Sequence, residues 1–306
     1  IQYDSREHFY AFAAKVMPGD VPCLGPATLA PDSGCELGDS LDSLLAPLEA
    51  VISENTKKVF SGCAAERGES EILSCTLGYP GRLVRTVVIV GDSHATHWFS
   101  ALDTWGAKHR WRIITYTRAS CPFTTAQRIA PGDRTQKYEE CAAANRVVLK
   151  RILENRNISA VITSSFASSY GWKDASGRTG QAALNAGVRD VAGRLARAGK
   201  PLVVIRDVPL TRDGQNVPDC LTRLGSVAAC SLLREKAVVP DPYAESAALF
   251  GMPVVDLTDW FCTSIECPVV VGNVVVYRDP DHLTADYSRL LADVLGEKLQ
   301  TVLDQQ

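Results

Sequence analysis

A serine at position 93 carries a hydroxyl group that could act as a nucleophile, because of what precedes and follows it. It lies in the segment Gly91-Asp92-Ser93-His94, and the apolar, β-branched residues 86–90 predict a buried strand directly before that segment. Large side chains at helical spacing predict a helix directly after it: Trp98, Phe99, Leu102 and Trp105. We therefore expect Ser93 at the carboxyl end of a strand, where open α/β sheets bind their ligands, and at a helix N-terminus, whose N–H groups stabilise an oxyanion.

A histidine that could accept the serine proton lies near the other end of the chain, in Asp279-Pro280-Asp281-His282. A serine needs such a base to become a good nucleophile, and a carboxylate on the second ring nitrogen fixes the histidine tautomer. Asp279, three residues before His282, is predicted to be that carboxylate. Asp281 is ranked lower, because the residue next to the histidine points elsewhere in most turns. The alternative is that these aspartates only cap the last helix and that His282 lies on its surface.

These two segments together resemble the SGNH (GDSL-like) hydrolase superfamily, which pairs Gly-Asp-Ser with a late Asp-x-x-His. The strings GDSHATHW, SCPF and VYRDPDHLTADYSRLLADVL resemble a narrower group, the extracytoplasmic SGNH domain fused to the membrane domain of bacterial, particularly actinobacterial, acyltransferase-3 proteins. The resemblance covers roughly residues 60 to 303. It implies that Ser93 is the nucleophile, His282 the base and Asp279 the residue that orients His282.

The sequence departs from the superfamily at the residues expected to stabilise the oxyanion. Many members carry an Asn after the third strand, but here residues 158–163 are followed by Ser164-Ser165-Phe166. Ser120 occupies the place of a second oxyanion residue, normally a glycine, and either its N–H or its hydroxyl could donate. A plain loop held by Cys121 is the alternative for this segment. The N–H of Ser93 is the donor that the sequence assigns most directly.

Other residues near Ser93 are given supporting roles. Asp92 is predicted to hold the turn through hydrogen bonds rather than to ionise in catalysis. His94 and His97 are one helical turn apart, but no third ligand is evident, so packing or lining of the acyl site by His94 is favoured over a metal site. Trp98, Trp105 and Trp111 are predicted in the core. Tyr170 and Trp172, in a polar loop, are candidates for stacking on a saccharide.

The ten cysteines fall into five neighbouring couples: Cys23/Cys35, Cys63/Cys75, Cys121/Cys141, Cys220/Cys230 and Cys262/Cys267. An even number with short gaps predicts five disulfides and therefore an oxidising compartment. The alternatives are scattered thiols in a cytosolic protein, or zinc binding. No Cys-x-x-Cys pair occurs, which disfavours zinc.

Composition narrows the class of protein further. The chain has 306 residues and 46% hydrophobic content, enough for a full core. The formal net charge of −3, with acidic and basic residues interspersed, disfavours nucleic-acid binding and a polybasic membrane patch. No run approaches the roughly 18 apolar residues that span a bilayer. The chain begins at Ile1 without a methionine or signal-like segment, so we expect a processed or truncated piece, whose missing part would be a membrane domain.

The order of elements predicts an α/β fold with a central parallel sheet in a three-layer, flavodoxin-like arrangement. Further strands are expected at residues 111–116, 158–163, 202–205 and 253–256, with helices near 135–155 and 181–198. Residues 1–84 are predicted to form a disulfide-stapled accessory segment, with one helix between Leu41 and Ile52, and residues 85–306 the catalytic domain. A valine-rich hairpin around Gly272-Asn273 would deliver Asp279 and His282.

The leading hypothesis is an O-acyltransferase domain that transfers an acyl group, expected to be acetyl, through a Ser93 ester to a hydroxyl of a cell-envelope glycan or glycolipid. No cofactor and no metal are predicted. The expected partners are the membrane acyltransferase domain of the same protein, an acyl donor and the acceptor, with the isolated domain a monomer at the extracytoplasmic side of the membrane. A carbohydrate esterase with the same triad and a non-catalytic module that presents glycan remain as alternatives.

Overall fold

The computed structural model describes residues 21–53, 60, 62–130, 133–211 and 214–306. Residues 1–20 of the predicted accessory segment therefore lie outside the described residues. None of the described helices is long and apolar enough to cross a membrane.

Fourteen strands occur in the described residues. In chain order they are β1 Ala64–Ala65, β2 Thr76–Gly78, β3 Arg85–Gly91, β4 Trp111–Arg118, β5 Gln127–Ala130, β6 Asp133–Lys137, β7 Ala160–Ser164, β8 Gly171–Lys173, β9 Leu202–Ile205, β10 Leu232–Leu233, β11 Val254–Val255, β12 Glu266–Cys267, β13 Val270–Val271 and β14 Val274–Val275.

Eleven α-helices occur in the same part of the chain. They are α1 Leu48–Ser53, α2 Ser93–Thr96, α3 Phe99–His109, α4 Glu139–Glu154, α5 Gly180–Arg197, α6 Val217–Leu224, α7 Val227–Cys230, α8 Arg234–Ala237, α9 Pro242–Leu249, α10 Ala285–Leu290 and α11 Ala292–Asp304.

The chain divides into two compact units, and neither is continuous in sequence. The first comprises the described residues within 1–61, 208–239 and 257–295, and the second comprises those within 62–207, 240–256 and 296–306. This division differs from the one expected at residue 84. Residues 62–84 belong to the second unit, because β1 and β2 both pair with β4.

The second unit is built on the predicted parallel sheet. Its strand order is β1-β4-β3-β7-β9-β11, and β2 also pairs with β4. Every pairing is parallel except that of β2, which is antiparallel. Residues 87–90 of β3 are completely buried, as the apolar β-branched run predicts for a central strand covered on both faces. The α/β fold and its parallel sheet are thus confirmed.

Helices cover this sheet, and the apolar periodicity of β3 explains how they pack. Val88 and Val90 pack with residues of α4 and α5, while Val87 and Ile89 point to the opposite face because successive side chains alternate along a strand. The predicted helix at 135–155 begins only at Glu139 in the structure. Residues 133–137 form β6 instead, which pairs with β5 in a small separate sheet.

The register of the sheet brings three strand ends level with one another. Gly91, the last residue of β3, lies opposite Thr117 of β4 and opposite Ser164, the last residue of β7. Residues that follow these strands therefore emerge at one edge of the sheet. Ser93, Ser120 and Ser165 all follow such an end.

The first unit contains the predicted hairpin. Strands β13 and β14 pair antiparallel, with Val271 opposite Val274, across the two-residue turn Gly272-Asn273. Both turn residues have positive φ, 48° and 63°, as a type I′ turn requires. The helix expected between Leu41 and Ile52 is shorter than predicted. It begins only at Leu48, and the segment that contains Leu41 and Leu44 is not helical.

All five predicted disulfides are present. They join Cys23–Cys35, Cys63–Cys75, Cys121–Cys141, Cys220–Cys230 and Cys262–Cys267, and none of the described cysteines is free. Each closes a short segment within one unit.

Gly91, at the end of β3, is a glycine whose replacement would strain the backbone and overlap a neighbouring strand. Its φ is +139°, and an added Cβ would lie 2.3 Å from the Ser164 carbonyl oxygen of the neighbouring strand. Gly199, which follows α5, also has a positive φ, +67°, but an added Cβ there meets nothing within 4 Å. Substitution of Gly199 would therefore cause backbone strain alone, whereas substitution of Gly91 would cause both strain and steric overlap.

We expect Gly91→Ala to lower the free energy of unfolding by about 3 kcal/mol or more, because it combines strain with overlap. Gly199→Ala, which adds strain alone, should cost about 1–2 kcal/mol. Urea unfolding followed by tryptophan fluorescence measures both. Equal losses would show that the close approach of β3 and β7 at Gly91 has no energetic consequence.

Candidate active site

Ser93 is the first residue of α2 and is separated from the end of β3 only by Asp92. The Asp92 side chain caps this helix, because its Oδ1 accepts a hydrogen bond from the His94 N–H at 2.9 Å. The Ser93 N–H belongs to the first helical turn, where N–H groups have no partner inside the helix. Ser93 is partly exposed, although its neighbours at 91–92 and 94–97 are buried. The turn therefore holds both a hydroxyl and an N–H at the edge of the sheet.

The Asp92 carboxylate ties this turn to the segment after β7. Its Oδ2 accepts hydrogen bonds from the Phe166 N–H at 3.0 Å and from the Tyr170 hydroxyl at 3.2 Å. Complete burial raises the pKa of Asp92 to about 6, although the nearby His94 and the backbone N–H donors act in the opposite direction. These contacts are those expected of a residue that fixes the turn.

Ser120 follows β4 in a conformation that favours glycine. Its φ is +57°, and the adjacent Cys121 N–H donates to the Arg118 carbonyl at 3.1 Å to close the turn. In the described part of the chain, the Ser120 N–H has no hydrogen-bond acceptor. The Ser120 hydroxyl donates to the Tyr170 side chain, whose own hydroxyl donates to Asp92. Ser120 thus adopts the backbone expected where related proteins place glycine.

The segment after β7 has no amide side chain that could replace the absent Asn. Ser164 and Ser165 are almost fully buried, 1% and 2% exposed. Neither hydroxyl has a hydrogen-bond partner among the described residues. The backbone N–H groups of Ser93 and Ser120 are therefore the candidate oxyanion donors in the described part of this unit.

A buried histidine–carboxylate pair that sequence patterns did not reveal lies next to Ser93. The His94 Nδ1 is 2.6 Å from Oδ1 of Asp207, and the two side chains are only 2% and 11% exposed. The His94 ring stacks on Phe166, with centroids 4.5 Å apart and planes inclined by 14°. Asp207 follows β9 and donates its N–H to the Asp241 carboxylate at 2.9 Å. These contacts give His94 a packing role beside the serine.

In the first unit, Asp279 and His282 are held together by a compact loop. The Arg278 N–H donates to the His282 carbonyl at 2.9 Å, and the Thr211 hydroxyl donates to the Pro280 carbonyl. Asp279 Oδ1 also accepts the backbone N–H of His282 at 2.8 Å. The His282 Nδ1 lies 3.0 and 2.9 Å from the two Asp279 carboxylate oxygens, within hydrogen-bond distance. The three-residue spacing therefore places Asp279 where a residue that orients His282 must lie.

Asp281 also approaches the imidazole, which the sequence did not predict. Its Oδ1 lies 2.9 Å from the His282 Nδ1, as close as Asp279, so the expectation that Asp281 points elsewhere was wrong. The backbone turn at Pro280 allows both carboxylates to face one ring nitrogen. Both oxygens of Asp279 lie within hydrogen-bond distance of Nδ1, and Asp279 raises the pKa of His282 more than Asp281 does.

The two carboxylates set the charge of His282. Burial lowers the pKa of His282, but hydrogen bonding and the charges of Asp279 and Asp281 outweigh burial and raise that pKa to about 9. Burial raises the pKa of Asp279, but the hydrogen bond with His282 and the charge of His282 lower it. The pKa of Asp279 therefore lies well below its usual range. Asp279, Asp281 and His282 offer ligand atoms within 4.8 Å of one another. A ring N–H that faces two carboxylates explains this clustering without a cation.

The aromatic residues proposed as saccharide platforms are otherwise engaged. Trp172 is 3% exposed and belongs to the core around α5. The Tyr170 hydroxyl is bonded to Asp92, and the Arg128 guanidinium carbon lies 4.2 Å from the centroid of its ring. Trp98, Trp105 and Trp111 are in the core as predicted, with at most 2% exposure. Stacking of a sugar on Trp172 is therefore excluded by burial.

Comparison with known proteins identifies the family. Residues 62–297 match the family described as the SGNH domain fused to AT3 domains. No curated protein matches this chain significantly. The chain is similar in structure to the periplasmic domain of a lipopolysaccharide acetyltransferase from Salmonella ser. Paratyphi A, with 14% identity, a TM-score of 0.54 and 98% of each chain covered. It is less similar to a GDSL-like lipase from Bacteroides thetaiotaomicron, with 8% identity, a TM-score of 0.38, and 72% of this chain and 88% of the lipase covered.

The charge of His282 gives a direct prediction for nuclear magnetic resonance titration of its ring. We expect a wild-type pKa near 9, and a lower pKa in both Asp279→Asn and Asp281→Asn. The fall should be larger for Asp279→Asn, because that change weakens the hydrogen bonds to Nδ1 as well as removing a charge. His282→Gln identifies the signal among the five histidines. An unchanged pKa in Asp281→Asn would contradict the contact at 2.9 Å.

Proposed function

We propose that this chain is an O-acyltransferase domain. It belongs to the family of SGNH domains fused to AT3 domains. It would transfer an acyl group, in the first instance acetyl, to a hydroxyl of a cell-envelope glycan or glycolipid. The observation that carries the proposal is the edge of the sheet at Ser93. There, β3 and β4 end side by side, and the residues that follow them supply the partly exposed Ser93 hydroxyl and the N–H groups of Ser93 and Ser120, which have no acceptor among the described residues. That arrangement suits a nucleophile beside an oxyanion site.

The proposed chemistry uses Ser93, His282 and Asp279. His282 takes the proton of the Ser93 hydroxyl through Nε2 while the oxygen attacks the carbonyl carbon of the acyl donor. The N–H groups of Ser93 and Ser120 stabilise the oxyanion, and the donor leaves with the proton held by His282. The acceptor hydroxyl then gives its proton to His282 and attacks the serine ester, which restores Ser93. Asp279 keeps Nδ1 protonated, so that Nε2 is the nitrogen that exchanges protons.

The setting of this reaction follows from the disulfides and the family. Five disulfides are typical of a protein that works in an oxidising compartment, which supports an extracytoplasmic location. The fusion that characterises the family supports a membrane acyltransferase domain as the partner that delivers the acyl group. The same site with water as acceptor would be an esterase, and the test below separates the two.

The test is mass spectrometry of the purified chain after incubation with p-nitrophenyl acetate. We expect an acetyl group on Ser93 that is long-lived in buffer and lost when a saccharide acceptor is added. Ser93→Ala should carry no adduct, and His282→Ala should form it far more slowly, because members of a triad act as a unit. Rapid turnover without acceptor would favour an esterase. No adduct at all would overturn the proposal and favour a module that only presents glycan.

The two aspartates should have different effects on the pH–rate profile of p-nitrophenyl acetate hydrolysis. A base acts when deprotonated, so the wild-type rate should rise with pH and level off above about 9, the pKa of His282. Asp279→Asn should lower the plateau by on the order of 10⁴-fold, because the tautomer is no longer fixed. Asp281→Asn should keep most of the plateau, because Asp279 still fixes the tautomer, and should move the midpoint to lower pH, because one of the two carboxylates that raise the His282 pKa is lost.

The midpoint does not depend on how much of each variant is folded, and the plateaus are compared after the folded fraction of each variant has been measured by circular dichroism. A larger loss of plateau in Asp281→Asn than in Asp279→Asn would mean that Asp281 orients the imidazole. A midpoint that both variants leave unchanged would mean that His282 is not the base.

A further inference from the structure

Arg128, in β5, is a buried cation that the proposed chemistry does not use. It is 7% exposed, and its guanidinium lies over two tyrosine rings, 4.2 Å from the centroid of Tyr170 and 5.4 Å from that of Tyr138. Burial lowers its pKa, which reports the cost of keeping this charge away from water. The faces of the Tyr138 and Tyr170 rings stabilise the charge in part, but they do not satisfy the five N–H donors of a guanidinium.

Among the described residues, Arg128 differs from seven other arginines in having no carboxylate within ion-pair distance. Seven arginines form ion pairs with aspartates: Arg85, Arg178, Arg194, Arg206, Arg234, Arg278 and Arg289. Among the described residues, no ion pair and no side-chain hydrogen bond involves Arg128, and its Nε is buried without an acceptor. Buried charges are normally paired, so an unpaired one indicates a missing anion.

Two further arginines make the surroundings of Arg128 positive. Arg67 is exposed and its guanidinium lies 5.5 Å from the centroid of the Tyr138 ring. Arg118 is buried and donates to the backbone carbonyls of residues 66, 69 and 71, which carry no charge. The carboxylate that acts on the pKa of Arg128 is the buried Asp92, and the one that acts on the pKa of Tyr138 is Glu140. The residues whose carbonyls accept from Arg118 are Glu66, Glu69 and Glu71.

This arginine–tyrosine cluster, formed by Arg67, Arg118, Arg128, Tyr138 and Tyr170, lies next to the nucleophile turn. The Tyr170 ring contacts Arg128, and the Tyr170 hydroxyl donates to Asp92, the residue before Ser93. A group bound to Arg128 would therefore lie one tyrosine side chain away from the Ser93 turn. That is where parts of an acceptor beyond the reacting hydroxyl must be bound.

We propose that Arg128, assisted by Arg67, binds an anionic oxygen group, a carboxylate or a phosphate, on the saccharide that accepts the acyl group. This inference rests on the proposed acyltransferase function and adds the class of its acceptor. A guanidinium presents parallel N–H donors that match two oxygens of such a group. The acceptor is thus an acidic or phosphorylated glycan rather than a neutral one.

The test compares three acceptors of one ring type with the acetylated chain: methyl glucuronide, glucose 6-phosphate and methyl glucoside. Wild type should show a KM for at least one anionic acceptor about ten- to a hundredfold below that for the neutral glucoside, as charge-assisted hydrogen bonds predict. Arg128→Met should remove this preference by raising the KM for the anionic acceptor to that for the neutral glucoside. Arg128→Lys should keep part of it, and Arg156→Met, which changes an exposed arginine outside the cluster, should keep all of it. The two anionic acceptors distinguish a carboxylate from a phosphate.

A binding measurement keeps this proposal separate from the proposed catalysis. Calorimetric titration of the catalytically inert Ser93→Ala chain with methyl glucuronide and with inorganic phosphate should show binding of at least one anion. Binding should weaken in Ser93→Ala/Arg67→Met, since an exposed side chain can be replaced without unfolding the protein. Equal KM values for charged and neutral acceptors, or anion binding that Arg67→Met and Arg128→Met leave unchanged, would overturn the inference. Hydrolysis that persists in Ser93→Ala would instead overturn the proposed function alone.

Discussion

The geometry around Ser93 depends on one carboxylate that is completely removed from water. Asp92 is stable there only because three groups donate to it: the N–H of His94, the N–H of Phe166 and the hydroxyl of Tyr170. These donors come from the helix that begins at Ser93 and from the segment that follows β7. Tyr170 also interacts with the Ser120 side chain and packs its ring on Arg128. A change at Asp92 would therefore affect the turn at Ser93, the turn at Ser120 and the arginine–tyrosine cluster together.

The site of the second unit could be predicted from the sequence where local patterns determine structure. Residues 86–90 do not alternate between polar and apolar side chains, so they fit a strand that is buried on both faces and not one with a solvent-exposed face. The turn at Gly91 needs a residue without Cβ. Strand, turn and helix can therefore all be predicted from this stretch of sequence. The pair of Asp207 and His94 could not be predicted in this way. Their contact at 2.6 Å depends on which strands are neighbours in the sheet, and β9 is separated from β3 by β7. That Arg128 has no ion-pair partner among the described residues is equally hidden, because an ion pair that does not form leaves no pattern in the sequence.

Local geometry also explains the misjudged residues. Asp281 was ranked below Asp279 on spacing alone, but the loop closed by Arg278 and His282 curls tightly enough to bring both carboxylates to Nδ1. Periodicity placed the start of α4 four residues early, since β6 pairs with β5 and takes those residues into a sheet. In both cases a tertiary contact overrides a preference that the sequence expresses correctly. The second carboxylate has a chemical consequence, because it holds more positive charge on His282 than a single orienting aspartate would.

The absent Asn changes what must hold the oxyanion donors in place. A side-chain amide needs hydrogen bonds of its own to be oriented, whereas a backbone N–H is oriented by the chain on either side of it. At Ser120 the chain adopts φ +57°, a conformation that costs a non-glycine residue about 1–2 kcal/mol. The Cys121–Cys141 disulfide fixes the next residue of this turn to α4, and the Ser120 hydroxyl is fixed to Tyr170. The disulfide beside Ser120 therefore restrains a turn whose backbone conformation is unfavourable for a non-glycine residue, and in the proposed site this turn supplies a backbone N–H in place of the absent Asn.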